Sequence, residues 1–119
     1  AEFCKDCTLC VDSCPTAALT GDGLMDTSLC ISYQTIESKT APVFSTGTKK
    51  HRWIFGCDIC QQVCPYNKGN AYADELFNDE HEAAARIAAG ESITEKARLK
   101  SSVFLRRGSE KIEWNRAAL

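Results

Sequence analysis

The chain has 119 residues, of which 44% are hydrophobic and eight are cysteine. Its 14 basic and 16 acidic residues give a formal net charge of −2, so no overall positive field attracts nucleic acid or a membrane surface. No apolar run is long enough to span a membrane, and a hydrophobic core this small needs further support.

Short elements and loops are predicted for the first part of the chain. The turn residues Gly21-Asp22-Gly23 separate two short arms and predict a small hairpin over residues 17–26. Short helices are predicted within Ser28–Thr35 and within Ile54–Val63.

The composition changes near Lys68, where cysteine and proline end and alanine and charged residues become frequent. We therefore expect two parts, a domain over residues 1–67 and a helical segment over residues 68–119. Because the chain begins at Ala1 and not at Met, we expect it to be processed or to belong to a longer protein.

Three helices are predicted for the second part. They span Asp74–Ala89 with Gly90 at the end, the residues after the capping box Ser92–Glu95, and Glu110–Leu119. Ser109 is expected to cap the third helix, and Ile112 and Trp114 to form its apolar face.

The first group of cysteines is Cys4, Cys7, Cys10 and Cys14, followed by Pro15. This is the spacing of bacterial ferredoxins, in which three thiolates bind one [4Fe–4S] cluster and the cysteine before proline binds another. Zinc is disfavoured because structural zinc sites use two separated pairs. Disulfides are disfavoured because cysteines this close in sequence do not bridge without strain.

The second group is Cys57, Cys60 and Cys64, followed by a proline. When the two groups are aligned on the Cys-Pro step, Ile54 stands where the first group has Cys4, so one ligand is missing. Two cubane clusters need eight thiolates, and the eighth cysteine is Cys30. The alternative for Cys30 is a free buried thiol that packs as a small hydrophobe.

Exchange of the fourth ligands predicts how the eight cysteines divide. Cluster one takes Cys4, Cys7, Cys10 and Cys64. Cluster two takes Cys14, Cys30, Cys57 and Cys60. Each cluster then joins distant parts of the chain, which supplies stability that the small core lacks.

These residues resemble the epoxyqueuosine reductase family. The resemblance rests on the first group continued as Cys14-Pro15-Thr16-x-Ala18-Leu19, on Cys30-Ile31-Ser32-Tyr33-x-Thr35-Ile36-Glu37, and on Ile54-Phe55-Gly56-Cys57-Asp58-x-Cys60 with its Cys64-Pro65 step. It covers residues 3–67 strongly and continues weakly through Trp114-Asn115-Arg116-Ala117-Ala118-Leu119.

The resemblance implies an α+β fold, with a bacterial-type two-cluster ferredoxin-like domain followed by a small all-α segment. It implies reduction of epoxyqueuosine to queuosine in tRNA by an oxidoreductase that uses two [4Fe–4S] clusters and cobalamin. The family's proton-donating acid lies in an N-terminal domain that this chain lacks, so no catalytic residue is assigned. Ser32 and Asp58 are candidates for the cobalamin side, against the alternative of local turn or cap hydrogen bonds.

The partners expected from the resemblance are the N-terminal cobalamin-binding domain, the tRNA and an external electron donor, with no membrane. A cytoplasmic location is expected because cluster thiolates must stay reduced. Two other functions remain open, a stand-alone two-cluster ferredoxin that carries electrons and a zinc-stabilised binding module.

Two basic runs are candidate phosphate contacts, and for both the alternative is a solvated surface. The first is Lys49-Lys50-His51-Arg52-Trp53. The second comprises Lys96, Arg98, Lys100, Arg106 and Arg107.

Overall fold

The computed structural model describes Cys4 and residues 6–49, 51–69, 84–90 and 103–119. Within these ranges the chain forms short helices joined by turns. Helix α1 spans Leu9–Ser13, a π-helical turn spans Tyr33–Glu37, and α2 spans Ile59–Gln62. The 3₁₀ turns Pro65–Asn67 and Val103–Leu105 follow, and helix α3 spans Ser109–Ala117.

The predicted hairpin is present in its shortest form. Leu19 and Met25 make an antiparallel bridge, and the Asp26 amide donates to the Ala18 carbonyl at 2.8 Å. The described ranges contain no longer strand, so the α+β class is not confirmed and the ferredoxin-like part consists mainly of helical turns and loops.

Two predicted helices are present but shorter or displaced. Residues 31–32 are helical and continue into the π-helical turn, so this helix begins just after Cys30 and runs past Thr35 to Glu37. In the segment Ile54–Val63 only α2 is helical, since residues before Cys57 form the loop that carries Gly56.

Part of the predicted second half lies outside the described residues. Residues 84–88 are helical and end before Gly90, as predicted, whereas the rest of Asp74–Ala89 and the capping box Ser92–Glu95 are not described. The end of the second predicted helix is instead a 3₁₀ turn at Val103–Leu105.

Helix α3 is confirmed, but its predicted cap is wrong. Gly108 occupies the N-cap position with φ of +83°, and Ser109 is already the first helical residue. The left-handed backbone that glycine tolerates starts the helix one residue early and leaves no side chain to cap it.

The predicted apolar face of α3 is confirmed for Ile112 and wrong for Trp114. Ile112 is fully buried, but Trp114 is 39% exposed and the buried neighbours are Lys111 and Asn115. Residues two apart point in different directions around a helix, so Ile112 and Trp114 do not share a face.

Among the described residues, an apolar cluster joins α3 to the middle of the chain. Ile87 and Ile112 form its buried centre, and Phe55 meets Phe104 edge-on with ring centroids 4.8 Å apart. The helical segment therefore packs against the loop that precedes Cys57. None of the described helices has the length and apolar character needed to cross a membrane.

Candidate iron–sulfur site

The two cysteine runs form matching local structures. Cys10 lies in α1 and Cys60 lies in α2, and the two helices pack against each other. Cys14 and Cys64 both stand before a proline with nearly the same backbone, φ and ψ of −64° and 119° against −69° and 122°. Proline disfavours the helical conformation for the residue before it, so the chain leaves the helix at the same place in both cysteine runs.

Four cysteines from three segments line one cavity. They are Cys14 from the first run, Cys57 and Cys60 from the second, and Cys30 from between the runs. Apart from the Thr16 hydroxyl, the remaining side chains of its wall are apolar. The structure thus brings together the four thiols that the sequence assigns to cluster two.

The charges of these thiols act on one another. Burial raises the pKa of the Cys57 thiol, the Ile59 amide lowers it, and the charges of Cys60, Cys30 and Cys14 raise it further. Four thiolates this close repel each other, and bound iron would remove that repulsion.

Hydrogen bonds favour the thiolate of Cys14. Burial raises its pKa, but the Thr16 hydroxyl and the amides of Thr16, Ala18 and Leu19 together lower it more. The Ala18 amide donates to Cys14 Sγ at 3.3 Å. Hydrogen bonds to ligand sulfurs also help to set the reduction potential of an iron–sulfur cluster.

The thiols assigned to cluster one come from the start of the chain, from α1 and from the residue before Pro65. Cys4 is exposed, whereas Cys7, Cys10 and Cys64 are partly buried. The Cys7 amide donates to the Cys4 carbonyl at 3.3 Å, which closes the turn before α1.

The donor set fits cubane clusters. All eight cysteines are free thiols, so disulfides do not consume them. Among the residues that the structure describes, no three His, Cys, Asp or Glu side chains are grouped to hold a single metal ion. A cubane does not need such a group, because each thiolate binds a different iron.

A buried threonine connects two of the ligand segments. The Thr35 hydroxyl donates to the Ile31 carbonyl at 2.7 Å and accepts from the Gly56 amide at 3.0 Å. Gly56 has φ of +74°, which lets the loop present its amide to Thr35 immediately before Cys57. This contact holds the turn after Cys30 against the loop that carries Cys57.

No pattern in the sequence singles out Thr35, Lys111 or Asn115 as site residues. All three are buried polar residues, and Lys111 donates from Nζ to the Thr40 carbonyl at 2.6 Å. Burial lowers the pKa of Lys111. For Lys111 and Asn115 the sequence does contain one indication of burial. They lie one helical turn apart, on the face of α3 that buries Ile112.

Ser32 and Asp58 lie on the segments that Thr35 joins. Ser32 precedes the π-helical turn and Asp58 precedes α2, and neither side chain makes a cap hydrogen bond to its helix. Helix capping by Ser32 and Asp58, the alternative to a role on the cobalamin side, is therefore not observed. The assignment of these two residues to the cobalamin side stays a prediction.

The described residues of the two basic runs have different surroundings, whereas Lys50, Lys96, Arg98 and Lys100 lie outside the described part of the chain. Lys49, His51 and Arg52 line an open cleft beside Phe44 and the end of α3, and burial lowers the pKa of His51. In the second run, Arg106 and Arg107 each make an ion pair with Glu37, so their charges are partly compensated.

The sequence profile of the 4Fe–4S double cluster binding domain matches residues 3–67, which contain all eight cysteines. The chain belongs to this family. No solved structure matches the chain significantly.

Curated relatives share one name, epoxyqueuosine reductase. The protein from Cyclobacterium marinum is 41% identical over 95% of this chain and 36% of its own length. Those from Cellulophaga algicola and Leadbetterella byssophila are 44% and 52% identical, over 65% and 56% of this chain and 26% and 22% of theirs. The chain is thus similar to these reductases but spans roughly a third of their length or less.

Replacing Thr35 with valine tests the connection between the ligand segments. Valine has nearly the same shape but cannot accept the Gly56 amide, and leaving a buried donor unpaired costs about 1–3 kcal/mol. We expect amide exchange at Gly56, measured by NMR, to become about tenfold faster or more. Thr35→Ser keeps the hydroxyl and should retain most of the protection. Equal exchange in both variants would show that the hydroxyl does not hold the loop.

Proposed function

We propose that this chain is the electron-delivery domain of an epoxyqueuosine reductase and that it binds two [4Fe–4S] clusters. The observation that carries the proposal is the cavity lined by Cys14, Cys30, Cys57 and Cys60. Similarity to the curated reductases over as much as 95% of the chain supports the choice of enzyme.

The proposed ligand sets follow the exchange of Cys14 and Cys64 between the runs. Cluster one is bound by Cys4, Cys7, Cys10 and Cys64, and cluster two by Cys14, Cys30, Cys57 and Cys60. Such clusters supply one-electron transfer. The protein contributes the four thiols, the Ala18 amide that donates to Cys14 and a largely apolar wall.

The remaining chemistry of the enzyme is assigned to other parts. Cobalamin is proposed to lie between an N-terminal domain and this one, on the side of Ser32 and Asp58. The substrate is tRNA carrying epoxyqueuosine, the electrons come from an external donor, and the location is the cytoplasm, where thiolates stay reduced.

A stand-alone two-cluster ferredoxin is the weaker alternative. It accounts for the eight cysteines but not for α3, which donates from Asn115 and Lys111 into the ligand-bearing part. The reductase relatives also match beyond residue 67.

Changing Cys30 to alanine tests the assignment of cluster two. Because Ile54 occupies the position that corresponds to Cys4, only Cys30 is left as the fourth ligand. We expect cluster two to be lost or converted to a three-iron cluster while cluster one is kept, measured by iron content and electron paramagnetic resonance.

Cys7→Ala is the matched control and should damage cluster one instead. If Cys30→Ala keeps both cubanes with unaltered spectra, then Cys30 is only packed against the cavity and the assignment is wrong.

If this domain only delivers electrons, the isolated chain should transfer electrons without catalysing the reduction of epoxyqueuosine. The iron-loaded chain should accept electrons from dithionite and pass them to an added acceptor. With cobalamin and epoxyqueuosine tRNA it should form no queuosine, because none of its residues matches the proton-donating acid expected in the N-terminal domain. Nucleoside analysis of the tRNA measures the product, and a full-length relative is the positive control. Queuosine formed by the chain alone would contradict the proposal.

A further inference from the structure

Asn115 links two chain segments that are distant in sequence. Its side chain is 1% exposed, and Nδ2 donates to the Thr35 carbonyl and to the Ile54 carbonyl, each at 2.8 Å. The two acceptors lie 80 and 61 residues before it. One amide group of α3 therefore connects the turn after Cys30 with the loop before Cys57.

The two acceptors stand close in sequence to proposed cluster ligands. Thr35 follows Cys30 by five residues, and Ile54 precedes Cys57 by three. The bond between the Thr35 hydroxyl and the Gly56 amide joins the same two segments. Asn115 thus gives a second, separately anchored connection between Cys30 and Cys57.

We propose that Asn115 is a positioning residue for cluster two, which sets the separation of Cys30 and Cys57 without touching the cluster. The inference rests on the proposed binding of cluster two at these thiols. It assigns to α3 a role in electron transfer that the cysteine pattern alone does not contain.

The chemistry of the side chain explains why asparagine stands here. A carboxamide carries two N–H donors on one planar group, so it can bond two carbonyls at once, whereas aspartate only accepts and leucine does neither. Asn115 Oδ1 is buried without a hydrogen-bond partner, which is a cost that an apolar residue would avoid. An apolar residue would, however, leave the carbonyls of Thr35 and Ile54 without this donor, so the amide is explained by the two carbonyls that it bonds.

Helix α3 is itself well anchored, so the amide can act as a fixed point. Ile112 is buried in the apolar cluster, Lys111 bonds the Thr40 carbonyl, and Arg107 pairs with Glu37 at 3.3 Å. Loss of the Asn115 bonds would loosen the ligand segments, which the Thr35–Gly56 bond still joins, while the helix stays in place.

The test compares Asn115→Leu and the milder Asn115→Gln with Ile112→Ala, a destabilising control on the same buried face. All are loaded with iron and sulfide, and cluster two is identified as the signal lost in Cys30→Ala. For Asn115→Leu we expect a shifted midpoint potential and an altered electron paramagnetic resonance signal of cluster two only. Release of its iron to a chelator should become at least about tenfold faster, because leucine removes both hydrogen bonds and one lost buried bond already corresponds to about that factor. Asn115→Gln should give a smaller change of the same kind.

Ile112→Ala should lower the unfolding temperature and leave the potential of cluster two unchanged. The proposal is overturned if both Asn115 variants keep the wild-type potential and signal, or if Ile112→Ala shifts them equally. Failure of the wild-type chain to assemble cluster two would instead overturn the proposed function, so the two failures are distinguishable.

Discussion

The Thr35 hydroxyl donates to Ile31 and accepts from Gly56, and the arrangement of the cysteines around the cavity depends on this pair of bonds. The bond that the hydroxyl donates to the Ile31 carbonyl fixes Thr35 within the turn that follows Cys30. The bond that it accepts from the Gly56 amide holds the loop that leads into Cys57. Since Cys30 and Cys57 belong to different segments, nothing in the local backbone would otherwise keep them on the same cavity. Asn115 adds a second connection between these segments from α3.

Polar contacts are prominent in the described part of the chain because its apolar core is small. Among the described residues the buried hydrophobic side chains are Ala18, Ile31, Ile87 and Ile112. A core of this size stabilises a chain only weakly. The buried polar residues and the proposed clusters connect distant segments in its place. Bound iron would also remove the repulsion among the thiolates that line the cavity.

The cysteine count led to a grouping of four thiols that the structure also brings together, whereas the ligand sets themselves stay predictions. The count of eight thiols led to Cys30 as the partner of Cys14, and the structure places both on one cavity. Short-range patterns misplaced the cap of α3, because a left-handed glycine starts a helix without a side-chain signal. They also assigned Trp114 to the buried face. Thr35 and Asn115 were missed because their roles depend on contacts between residues far apart in sequence, which no local pattern contains.

The count of iron and sulfide in the anaerobically reconstituted wild-type chain tests the central claim most directly. Two cubanes require about eight of each per chain, with Mössbauer spectra that contain only [4Fe–4S] components. About four of each, with a single cluster signal, would contradict the use of Cys30 as the eighth ligand. Recovery of the eight cysteines as four native disulfides would contradict the iron–sulfur account altogether.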